Sequence, residues 1–411
     1  MCTKLSLFLL LFLFLNISLV ENLNTIEGPN ADSIRVLSSG AALQGRKMTA
    51  SGGRRTIVFL GIPYAEAPVG DRRYKAPVTR GAWKGILDAT KYKVSCLQNS
   101  SKISPTSDTT FMSEDCLHIN VFATARCLDL GGCPVLVILR NGEYSYDPTI
   151  SENIDDIVNQ WVIDEIIVVT FNYRLGSFGF INFGPDTSAD ENVGLLDQIE
   201  ALKWVQREIG RFGGDFARVT LYGEGMGAIN VDQLLLSPQT ANLFQQAILL
   251  DGAAMSLMNI REDTNLAASH RLAKWAGCAS VDGWNATNLE NSIECLRKSE
   301  AAKLLAIQRQ MEDSNKLESF KSPSIDGPML SSVFPERIPA MLSKRRPVRI
   351  MTGTCTDKSR WLKDIFRPNR DDPTPQKSTP LCRLGIRFRQ LNATEELLKA
   401  CEERYKKGYP C

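Results

Sequence analysis

The sequence predicts an α/β protein with a mostly parallel central sheet and helices on both faces. Three observations carry this. The runs LHINVF, PVLVILR, EIIVVTFNY, RVTLY and AILLDG, all between residues 117 and 252, read as strands, the first three being β-rich runs of the kind a buried sheet needs. Between them, NVGLLDQIEALKWVQREIGRF sets Leu195, Ile199, Leu202, Val205 and Ile209 at three- and four-residue steps, the stripe of an amphipathic helix. Strand and helix then alternate along the chain, the order that builds parallel strands with covered faces.

The elements follow in order. Lys4, an apolar run from Leu5 to Leu15 and then small and polar residues read as a secretory signal peptide over residues 1–20. A membrane-spanning helix needs ~20 apolar residues. This run is shorter and no other segment qualifies, so the mature chain, 21–411, is expected to be secreted with no membrane span. Residues from about 30 to 95 hold short apolar runs broken by Gly and Pro, such as TIVFLGIPYAEAPVG, and read as strands and turns. After the central strands, Gly213-Gly214 ends the long helix, RVTLY is a strand, AINVDQLLLSP a helix and AILLDG a further strand. Residues 255–345 are richer in helix signals and charge. PVRIMTG at 347–353 reads as one more buried strand, 364–380 as a Pro-rich loop, and the segment from Asn392 as a helix with Leu397, Leu398, Cys401 and Tyr405 on one face.

Composition narrows the function classes. With 43% hydrophobic and 23% charged residues the chain is an ordinary globular one. A formal net charge of +2 offers no electrostatic footprint for nucleic acid. No cofactor and no metal are expected. Of eleven cysteines, Cys2 lies in the leader and ten remain, an even number suited to disulfides in an oxidising compartment. Asn99-Ser100-Ser101, Asn285-Ala286-Thr287 and Asn392-Ala393-Thr394 are glycosylation acceptor triplets.

The most informative stretch is LYGEGMG. Gly223, Gly225 and Gly227 follow a strand with the spacing of a nucleophile elbow, G-x-S-x-G, but Gly225 stands in the middle. Glycine adopts the positive φ of such a turn without a Cβ penalty. The elbow is therefore expected to keep its shape and lack its chemistry.

Longer segments point to a family. FLGIPYAEAPVGDRRYKAP, SEDCLHINVF, VVTFNYRLGSFGFI and NVGLLDQIEALKWVQREIGRFGGDFARVTLYGE resemble, in the same order, the signatures of type B carboxylesterases and cholinesterases, over roughly residues 30 to 405. The resemblance implies the α/β-hydrolase fold, with the last part of that fold missing. It also implies disulfides Cys96–Cys116 and Cys278–Cys295. Cys127 and Cys133 are a candidate extra clip, and the pairing of Cys355, Cys382, Cys401 and Cys411 stays open. Arg73 with Glu114, and Arg174 with Asp197, resemble structural ion pairs of the family.

The family's chemistry needs a serine, a histidine, a carboxylate and oxyanion donors. Aligned motif by motif, the serine position is Gly225, flanked by Met226, whose thioether is no acyl-transfer nucleophile. The acid position is Lys358, beside Asp357. The oxyanion loop is reduced to Gly142, followed by Glu143, a carboxylate where negative charge would develop. The catalytic histidine would lie past residue 411, and His118 and His270 match neither role. The implied reading is a secreted esterase-like protein without a working triad, resembling neuroligins, neurotactin and gliotactin, that binds an extracellular protein. A residual or relocated ester hydrolase, a truncated product, and a small hydrophobic ligand in the former gorge are the alternatives.

Overall fold

The computed structural model describes residues 31–99, 112–140, 153–184, 186–253, 264–279, 284–314 and 347–354, with residues 320, 340, 341 and 343. Short connections build the leading half of a ten-stranded sheet. β1 (Ile34–Val36), β2 (Ala42–Thr49) and β3 (Arg55–Pro63) are joined by the loops 37–41 and 50–54 and pair antiparallel, because so short a loop cannot return the chain in the same direction. β4 (Ile86–Ala89) lies parallel to β2, and β5 (Ser95–Cys96) with β6 (Met112–Ser113) forms a separate ribbon. β7 (His118–Thr124) runs antiparallel to β3 and to β9 (Ile167–Phe171).

From β9 onward every pairing is parallel. The order runs β1-β2-β3-β7-β9-β8-β10-β11-β12, where β8 is Cys133–Leu139, β10 Gly214–Glu224, β11 Gln246–Leu250 and β12 Arg349–Gly353. The expected parallel sheet is thus the second half of a mixed one.

Alternation along β8 shows how both faces are covered. Val135, Val137 and Leu139 point into the main core, Leu136 and Ile138 into a second one. Helix α1 (Ala125–Leu130) precedes β8. Helix α2 (Ile154–Gln160) carries the chain to β9 on one side and puts Ile157 and Val158 into the second core. Past the short α3 (Gly176–Phe180), helix α4 (Val193–Glu208) leads across to β10 on the other side of β8 and packs Leu195, Ile199, Leu202 and Val205 into the main core. Opposite directions of travel with right-handed crossovers put the two helices on opposite faces.

Two elements differ from expectation. Part of the polar side of α4 is buried as well: beside the expected Arg174–Asp197 pair, Glu200 and Glu208 are covered where Thr79 and Ser38 bind their carboxylates. Conversely β12, read as a buried strand, is exposed along most of its length, with Met351 63% exposed. It is the last strand of the described sheet, and no described strand pairs its outer side.

Helices α5 (Met226–Leu236), α6 (Thr264–Ala276), α7 (Ala286–Lys298) and α8 (Ala301–Ser314) complete the described chain. Disulfides join Cys96 to Cys116, Cys127 to Cys133 and Cys278 to Cys295. Cys355, Cys382, Cys401 and Cys411 lie outside the described residues. Both expected ion pairs form as forks: Arg73 Nε and Nη2 meet Glu114 at 2.6 Å each, and Arg174 Nε and Nη2 meet Asp197 at 2.8 and 2.7 Å. Arg73 Nη1 also donates to the carbonyls of Leu296 and Ser299 at 2.7 Å, tying the α7 end to the sheet.

Candidate functional site

β10 carries the chain to the carboxyl edge of the sheet, and α5 leaves from it after a single residue. That residue, Gly225, has φ 56° and ψ −117°. Its N–H donates to the Leu250 carbonyl at 2.8 Å and its carbonyl accepts from Ile229 N at 3.2 Å, so the turn is held by both neighbours. The flanking glycines are required by contact. A Cβ on Gly223 would lie 2.3 Å from Gly227 backbone, and one on Gly227 would lie 2.2 Å from the Leu139 carbonyl oxygen. Gly252 closes in likewise, where a Cβ would meet the Gly225 oxygen at 2.1 Å. At Gly225 itself a Cβ would meet nothing within 4 Å among the described residues.

Below the turn, Asn230 on α5 donates through Nδ2 to Tyr173 Oη at 3.0 Å, and Tyr173 donates to the Arg140 carbonyl at 3.2 Å. This chain fastens the helix to the segments leaving β8 and β9. Sequence reasoning missed it; a polar Asn230 within the apolar AINVDQLLL was the available signal. Tyr222, next to the turn, is pushed above the ordinary phenol value by burial and by the Glu224 carboxylate.

Thr220 lies within β10, and Ser237 directly follows α5 as its cap. His118 opens β7, and β9 and β8 stand between it and β10. Three strand spacings are about 14 Å, far beyond the ~3 Å a general base must bridge. His118 is half-buried, and its Nδ1 has no partner among the described residues. His270 lies on α6, its ring stacked on Trp284 with centroids 3.9 Å apart. Burial holds both imidazoles below their ordinary value.

Gly142, Glu143, Lys358 and Asn392 lie outside the described residues, as does the 1–20 leader. Asn285 is exposed at the start of α7, whereas Asn99 is buried. Cys127, Cys133 and Glu165 place three potential metal-ligand atoms within 4.8 Å of one another. The two sulfurs are bonded to each other and Glu165 is paired with Arg54, so the trio is a covalent clip with a salt bridge beside it. No described helix is long and apolar enough to cross a membrane.

A mixed sheet of this order, with a tight glycine turn from a central parallel strand into a helix, frames the comparison with known proteins. The profile of the carboxylesterase family matches residues 32–409. The chain belongs to the carboxylesterase family. It is 33% identical to pyrethroid hydrolase Ces2e of Rattus norvegicus, over 76% of this chain and 53% of that protein. It is 32% identical to acylcarnitine hydrolase of Rattus norvegicus, over 81% and 57%, and 34% identical to cholinesterase of Mus musculus, over 77% and 52%. The chain therefore spans about half the length of the curated relatives it matches. As a carboxylesterase-family member it has the α/β-hydrolase fold.

Proposed function

We propose that this chain is a non-catalytic, secreted member of the carboxylesterase family that acts by binding an extracellular protein. One observation carries the reading: the centre of the elbow is a glycine at positive φ, which has no side-chain oxygen to attack a carbonyl. Loss of the nucleophile in an acyl-transfer triad typically lowers the rate by ~10⁶. Lys358 in the acid position and Glu143 in the oxyanion loop act in the same direction by sequence. Three disulfides among the described residues and the apolar leader favour an oxidising, extracellular setting. The relatives named as hydrolases share the scaffold, and this chain parts from a working elbow at one atom-bearing position.

The test is direct. The purified chain is incubated with a short aryl ester and with a fluorophosphonate probe. The expected outcome is hydrolysis at the buffer rate and no covalent label. Turnover or labelling that persists in Gly225→Ala would establish a relocated hydrolase instead. Binding is then measured with the secreted chain as bait on cells of its own tissue and mouse cholinesterase as control; no specific capture would count against the partner half of the proposal.

A further inference from the structure

Four triplets of this chain match the N-glycan acceptor pattern, one of them, Asn16-Ile17-Ser18, in the leader, and the fold separates the two that lie among the described residues. Asn285, Ala286 and Thr287 are all exposed. Asn285 is the N-cap of α7: its φ and ψ are −77° and 167°, and its Oδ1 accepts from Asn288 N at 2.9 Å. Its Nδ2 has no acceptor among the described residues. The two ends of this amide therefore face different tasks, the oxygen capping the helix and the nitrogen facing solvent.

Asn99 is the opposite case. It is 1% exposed, and its Nδ2 donates to Glu312 Oε2 at 2.5 Å. Glu312 Oε1 accepts from Gln308 Nε2 at 2.9 Å, and Gln308 Oε1 accepts from both the N–H and the hydroxyl of Ser177 at 2.8 Å. Every residue of this network is buried. A sugar on Asn99 Nδ2 would have to occupy packed space and would remove a donor from a buried carboxylate, the kind of loss that a fold tolerates poorly.

We infer that Asn285 carries an N-linked oligosaccharide in the secreted molecule and that Asn99 does not. The inference rests on the secretory reading above. In the transfer, Asn285 Nδ2 attacks C1 of an N-acetylhexosamine carried on a polyprenyl diphosphate. The C1–N bond forms, the C1–O bond to diphosphate breaks, polyprenyl diphosphate leaves, and the amide gives up one proton. The amide oxygen is untouched, so the α7 cap survives modification. Asn99 is sorted by folding: chains modified there cannot close the Asn99–Glu312–Gln308–Ser177 network and do not accumulate as folded product.

The full chain is expressed in a eukaryotic secretory host, and medium and cytosol are collected separately. Treatment with peptide-N-glycosidase in ¹⁸O water, followed by peptide mass analysis, reads each site. The expected result is ¹⁸O-labelled aspartate at position 285 and unmodified asparagine at position 99 in the medium. Thr287→Ala, which removes the triplet and leaves the capping amide, should lower the mass by one glycan, and Ser101→Ala should leave it unchanged. Chain in the medium with Asn285 bare, or with Asn99 occupied, would overturn this inference while leaving secretion intact. Chain confined to the cytosol without any glycan would overturn both.

Discussion

At the scale of single residues, the elbow separates two kinds of glycine. Gly223 and Gly227 are held by backbone atoms 2.2–2.3 Å from where a Cβ would be, so no neighbour can rotate away. Gly225 is constrained only by its positive φ, a strain of ~1–3 kcal/mol for another residue. Gly227→Ala should therefore lower the melting temperature well beyond Gly225→Ala, and an equal effect would contradict the packing described. Gly225→Ser should lose a little stability and restore no aryl-ester hydrolysis above the buffer rate. The histidines give a pH dependence. Burial holds His118 and His270 below the ordinary value of about 6.5. Below that value the unfolded chain binds protons that the folded chain resists, so stability should fall as pH drops through 6.5 toward the folded-state values. His118→Gln should flatten the fall in urea midpoint between about pH 7 and pH 5; an unchanged slope would place the acid sensitivity elsewhere.

At the scale of elements, Arg73 has the largest reach. It joins Glu114, behind the Cys96–Cys116 loop, to the carbonyls that end α7. Arg73→Ala would strand a carboxylate whose side chain is 12% exposed. Breaking such a buried pair from one side typically costs ~3–5 kcal/mol, and a urea titration should show a loss of that order. The strands and the long helix were legible in the sequence because their patterns are local: continuous apolar runs for β8 and β9, a 3.6-residue stripe for α4. The rest of the second buried side of α4 was not legible, since Glu200 and Glu208 look like a solvated face until Thr79 and Ser38 arrive from distant segments, and the Arg174–Asp197 pair came only with the family resemblance. The antiparallel leading half was equally hidden, because an apolar run does not record the direction of its neighbour.

At the scale of the whole molecule, the site was legible as a pattern and the sheet edge was not. LYGEGMG alone announced a strand, a turn and a helix, and the structure supplied the reason its outer glycines are fixed. PVRIMTG has the composition of an interior strand, and only the topology shows β12 as the last strand of the described sheet. An exposed strand of that composition is a template for pairing with other chains. Met351→Lys, at a position already 63% exposed, should raise the monomer fraction in size-exclusion chromatography with little change in melting temperature; an unchanged profile would show the edge to be harmless in solution. The elbow also makes a statement about descent. Backbone contact leaves Gly223 and Gly227 nowhere to go, while a Cβ on Gly225 would meet no described atom and that position answers mainly to its dihedral angle. Among orthologues that carry a glycine there, drift should therefore be lopsided: the outer two glycines frozen, and the centre wandering among Gly, Asn, Asp, Ala and Ser.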